Sequence, residues 1–155
     1  MNLQEFQTFA AENREWLEGS NPESEHSIAG AEESLGCRLP PTLKWLLTEY
    51  GYSESCGVDS LSGTVEATLR CRESIGLPRR YVVLNDWNDA GVVFLDTDRQ
   101  GPTGEFPIAW TAAYNLTRLA EGESPDGDVD VFEDYPAWVR DRLDTFKDEA
   151  APTNK

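Results

Sequence analysis

The chain is poor in the residues that most enzymes and metal proteins rely on: one histidine and three cysteines in 155 residues. Cys37, Cys56 and Cys71 lie far apart and form no C-x-x-C pair, so with His26 they do not make up a structural zinc set. An odd count in a chain read as cytosolic points to reduced thiols. Any Ser-His-Asp or Cys-His catalyst would have to use His26, which stands among Glu23, Glu25 and Ser27 and reads as an exposed helix-start residue rather than a base. No G-x-S-x-G, P-loop or G-x-G-x-x-G string occurs, and Gly101-Pro102-Thr103-Gly104 lacks the lysine and following helix of a phosphate cradle. No catalytic residue, cofactor or metal is therefore assigned.

Long apolar runs are also missing. None approaches the roughly 20 residues needed to span a bilayer, and Met1-Asn2-Leu3-Gln4-Glu5 lacks the basic start of a secretion signal, which gives the expectation of a cytoplasmic protein. Positive charge is scarce too. Lys plus Arg number 13 against 29 Asp plus Glu, a formal net charge of −16, and the only adjacent basic pair is Arg79-Arg80. Such a field repels a nucleic-acid duplex and an anionic membrane surface alike. A charge balance of this sign suits a basic protein partner.

The helical and strand patterns are clear. Leu3, Phe6, Phe9, Asn13 and Trp16-Leu17 mark one face of a first helix that stops at Gly19-Ser20-Asn21-Pro22. Ile28, Ala31 and Leu35 recur at helical spacing before Gly36, and Pro40-Pro41 opens a second helix carrying Leu43, Leu46, Leu47 and Tyr50, closed by Gly51. An irregular connection or a short strand is expected around Val58 to Leu61, then a helix from Thr64 to Ile75. Arg80 to Leu84 and Gly91 to Asp96 are β-branched and aromatic runs around NDWND and should pair as a hairpin, with Phe106 to Trp110 as a third strand. A short helix is expected over 112–120 and an acidic loop over 121–130. Asp134 can cap a last helix whose apolar face holds Tyr135, Trp138, Val139, Arg142-Leu143 and Phe146.

The segment IAGAEESLGCRLPPTLKWLLTEYG, from Ile28 to Gly51, resembles the opening of the SUKH superfamily, which includes a yeast cell-wall assembly regulator and many bacterial immunity proteins. The likeness continues through Leu77-Pro78, RRYVVLND, GVVFLDTD, EFPI and the helix DYPAWVRDRL, covering roughly Ser27 to Lys147. Tyr50-Gly51 replaces the Asn-Gly of many members. The length fits one domain over 1–150 with a frayed tail at 151–155. The expected fold is α+β, a small, mainly antiparallel sheet flanked by the N-terminal helices and the C-terminal helix. One core is expected to draw on Leu35, Leu39, Leu46, Leu47, Val83, Phe94, Trp138 and Leu143.

Two blocks of unbalanced charge stand out. Glu15 to Cys37 holds six acids and Leu119 to Val139 seven, neither with a Lys or Arg. Asp126, Asp128 and Asp130 alternate as in a calcium loop, but an EF-hand needs Gly and Glu where Val131 and Ala137 stand. An enzyme that uses carboxylates, or a metal held by DGDVD, is the weakest alternative. The second block, with Glu121, Glu123, Asp126, Asp128, Asp130, Glu133 and Asp134 around Phe132 and Tyr135, suits a cationic protein. Together with the resemblance, this implies an immunity protein that neutralises a basic toxin domain by stoichiometric binding, the alternative being a regulatory adaptor.

Overall fold

Local capping chemistry sets most helix boundaries in the computed structural model, which describes residues 1–151. The Asn2 side chain and Glu5 form a capping box at the start of α1 (Leu3–Glu12). The single first helix expected from the apolar stripe is interrupted. Asn13 donates from its amide to the Phe9 carbonyl, and the chain restarts as α2 (Arg14–Leu17). Ser24 caps α3 (Glu25–Leu35), and Gly36 ends it with φ 71°, a left-handed turn that favours glycine. Pro41 opens α4 (Pro41–Glu49) at the position where a missing N–H costs nothing.

A one-turn 3₁₀ segment, Glu54–Cys56, follows, and no strand forms near Val58. Ser60 accepts from the Gly63 N–H and starts α5 (Leu61–Ile75) three residues earlier than expected. The hairpin pairs β1 (Tyr81–Asp86) with β2 (Val92–Asp96), with a bulge between Val83 and Asn85. Next come β3 (Ile108–Thr111), α6 (Tyr114–Ala120), β4 (Val129–Phe132) and α7 (Tyr135–Ala150). The protein is thus α+β, with one antiparallel sheet in the order β1-β2-β3-β4, N-terminal helices and a C-terminal helix. β4 takes the end of the stretch expected to be loop, because β3 supplies a pairing partner; Val129 and Val131 share one face of the strand and Asp130 and Phe132 the other. The tail expected over 151–155 lies, from 152 onward, outside the described residues.

The eight core residues named from sequence are all buried, but they divide between two clusters. Leu35, Leu39, Leu46, Leu47, Trp138 and Leu143 join Val82, Val93, Leu95 and Ile108 on one face of the sheet. Val83 and Phe94 lie on the other, with Val92, Ala109, Cys71 and Leu116. Neighbouring strand residues point to opposite faces, so an unbroken run such as Val82-Val83-Leu84 marks a strand covered on both sides.

α5 packs around the β1 edge. Its Leu61 and Val65 enter the first cluster, while Ala67 and Cys71 enter the second. Between them, the Thr68 hydroxyl accepts from the Val83 N–H at 2.9 Å and donates to the Val83 carbonyl at 3.3 Å, and the Thr64 hydroxyl donates to the Leu84 carbonyl at 2.9 Å. The outward polar groups at the centre of this edge strand, those of Val83 and the Leu84 carbonyl, are therefore satisfied by side chains rather than by another strand.

Candidate partner-binding surface

The two acidic blocks have different fates in the fold. In the first, Glu32 accepts from the Leu39 N–H at 2.7 Å and pairs with Lys44 at 3.3 Å. Glu23 accepts from Ser27 and from the Tyr52 hydroxyl, which in turn accepts from the Leu61 N–H. Glu18 pairs with Arg14 at 2.6 Å. Three of its six carboxylates are thus committed to local structure.

In the second block Arg118 meets Glu123 at 3.1 Å, and the Met1 amine lies 3.4 Å from Asp134. Glu121, Asp126, Asp128, Asp130 and Glu133 are exposed and have no ion-pair partner among the described residues. The loop carrying them is held in place. Asn115, fully buried on α6, donates to the Thr111 hydroxyl and the Asp126 carbonyl and accepts from the Asp126 N–H at 2.8 Å. Tyr114 and Arg118 add bonds to the Asp126 and Ser124 carbonyls. The carboxylates therefore stand on a braced scaffold. Among the described residues no group of three or more His, Cys, Asp or Glu is arranged to hold a metal.

Two residues assigned to this surface from sequence lie inside the protein. Tyr135 is 0% exposed; its hydroxyl donates to the Cys56 carbonyl at 2.6 Å, and burial pushes its pKa well above the ordinary value. As the first residue of α7 it points into the core. Asp134 is 6% exposed and caps α7 through the Ala137 N–H. Neither can anchor a partner. Tyr135→Phe should lower stability by about 1–2 kcal/mol through the unpaired Cys56 carbonyl, while leaving surface binding intact; chemical denaturation beside a binding titration checks both halves.

The apolar element of the surface lies elsewhere. Val131 is 67% exposed on β4, and half-buried Phe132 lines a cleft of about 310 Å³ between the sheet and α7. Trp87, Trp110, Trp138 and Phe146 form its walls, and Asp130 and Asp141 also line it. Arg142 lies among the rings, its guanidinium carbon 5.3 Å from the Trp87 centroid, 5.1 Å from Trp138 and 5.3 Å from Phe146. It donates to the Glu54 carbonyl, its buried Nε has no hydrogen-bond partner among the described residues, and burial lowers its pKa. Gly57 lies beneath Trp138, where a Cβ would meet the indole at 2.2 Å.

Sequence inspection missed this cleft, although it held two signals. Trp87 sits in the turn-like NDWND, where a large ring is out of place, and Arg142 interrupts the apolar face of α7. The family model described as SMI1-KNR4 cell-wall (SUKH_5) matches residues 4–111, which takes in the five N-terminal helices and the first three strands. The acidic loop, β4 and α7 follow the matched segment. More than half of the chain is matched, and the helical opening, the Leu-Pro corners and the antiparallel sheet agree with it: the chain belongs to the SMI1-KNR4 cell-wall family of the SUKH superfamily.

Proposed function

We propose that the chain is a cytoplasmic immunity protein that neutralises a cationic toxin domain by stoichiometric protein–protein binding, without catalysis. SUKH domains are generally protein-interaction modules, and the family alone does not choose between immunity and regulation. The observation that carries the proposal is the run of five exposed carboxylates, Glu121, Asp126, Asp128, Asp130 and Glu133, which have no ion-pair partner among the described residues and whose C-terminal members flank Val131 and Phe132 on β4. Such a surface accelerates encounter with a basic protein, and the apolar contacts slow its release. The cell-wall description of the family favours a second role, an adaptor that binds its partner without inhibiting it.

The test starts from any toxin encoded beside this gene. Replacing Glu121, Glu123, Asp128 and Asp130 with the neutral amides should lower the association rate about tenfold at low salt, a difference that shrinks as salt rises. Wild-type rates from that variant would remove this face from the interface. Binding without inhibition or protection would favour the adaptor, and no binding at all would reject immunity to that toxin.

A further inference from the structure

The two edges of the sheet are not alike. The β1 edge is closed by α5 and by the hydroxyls of Thr64 and Thr68. At β4 the parity of the ladder shows which groups face outward. The Asp96 N–H donates to the Pro107 carbonyl, so alternate β3 residues from Pro107, namely Ala109 and Thr111, bond to β2. Ile108 and Trp110 must then bond to β4, where their partners are Phe132 and Asp130. The backbone N–H and C=O groups of Val129 and Val131 are left pointing away from the sheet. None of them has a hydrogen-bond partner among the described residues.

We infer that β4 receives an extended basic segment of a protein partner as a fifth strand. The inference rests on the proposed binding of a cationic protein and specifies how that protein would engage. Backbone pairing to Val129 and Val131 would supply affinity, and side chains at alternate positions would supply selectivity. On the cleft side those side chains fall beside Asp130 and Phe132, within reach of Asp141; on the other side they fall beside exposed Val131. Charge determines the occupant. Asp128, Asp130 and Glu133 at this edge repel a second copy of a chain of net charge −16, and the same carboxylates attract lysine or arginine. The edge is thus guarded against self-association and open to a segment of opposite sign.

The full chain can be tested with a fluorescein-labelled peptide of about eight alternating lysines and valines, and with its fully N-methylated counterpart, which keeps the charges but has no backbone N–H to donate. The parent peptide should bind about tenfold more tightly than the methylated one. It should also slow hydrogen exchange at the Val129 and Val131 amides. Val131→Pro removes one outward N–H and no bond to β3, so it should weaken the parent peptide while Val131→Ala largely retains it. If far-UV circular dichroism shows Val131→Pro misfolded, the exchange measurement on the wild-type chain decides. Equal affinities for the two peptides with unchanged Val131 exchange would overturn strand addition in favour of a contact by charge alone. Protection of Val131 that rises with protein concentration, without peptide, would overturn the choice of occupant in favour of a second copy. A toxin neutralised equally well by a folded Val131→Pro chain would sink this inference and leave the immunity proposal standing. A protected β4 edge in a chain that neutralises no toxin would do the reverse.

Discussion

Leu46→Ala is expected to lower the unfolding free energy by roughly 2–5 kcal/mol, the range for truncating a fully enclosed leucine. Leu46 is 0% exposed and lies on the inner face of α4, in the cluster that also holds Phe6, Leu43, Tyr135 and Val139. Elements from both ends of the chain meet there, so the surrounding side chains have little freedom to close the gap. A denaturation midpoint that does not move would remove the assignment of α4 to the core.

Glu105 should show an effect of similar size with a diagnostic pH dependence. It is 3% exposed; one carboxyl oxygen accepts from the Thr42 N–H at 3.1 Å and the other from the Thr42 hydroxyl at 2.7 Å. Pro40 offers no capping side chain, so Glu105, 63 positions downstream of Thr42, does that work for α4. Glu105→Ala leaves two buried donors unpaired and should cost roughly 2–4 kcal/mol. Burial, outweighing the Thr42 bonds, raises the Glu105 pKa above the ordinary glutamate value of 4.5. The native state then holds the proton more tightly than the unfolded chain. Stability from this group is fully present below the ordinary value and is lost as pH rises from there through the raised native value. Glu105→Gln keeps a carbonyl for Thr42 and cannot ionise, so wild type should lose ground to it across that window. A stability difference between wild type and Glu105→Gln that stays flat with pH would contradict the raised pKa.

The legible parts of the fold were those written in nearby residues. Gly36 after Leu35, Pro41 at the start of α4, and Asp134 with Pro136 at the start of α7 each fix a boundary within a few positions, and all three stand where the sequence places them. The failures came from competing interactions, one local and one between strands. Asn13 breaks an apolar stripe by taking a carbonyl from its own helix, and β4 forms because β3 offers it a partner. Periodicity identified Val83 and Phe94 as buried but could not assign them to a face of the sheet. At the candidate surface the carboxylates were visible as an unbalanced run. Tyr135 read as an anchor because it stands at the end of the acidic run, whereas its place on the apolar face of α7 turns it into the core. The cleft joins Trp87, Trp110 and Arg142 across three elements, a grouping that no local pattern encodes.

Three of the five tryptophans, Trp87, Trp110 and Trp138, line that one cleft, and two of them stack against the Arg142 guanidinium. Indole emission responds to the polarity and charge around the ring, so this arrangement gives the protein a built-in optical reporter. A partner whose side chains enter beside Phe132 would expel water from around these rings and change the intrinsic fluorescence without any attached dye. One that docks only on the carboxylates of the 121–128 loop would leave the emission unchanged. The colour of the protein's own fluorescence would thus separate a complex seated in the cleft from one held at the rim.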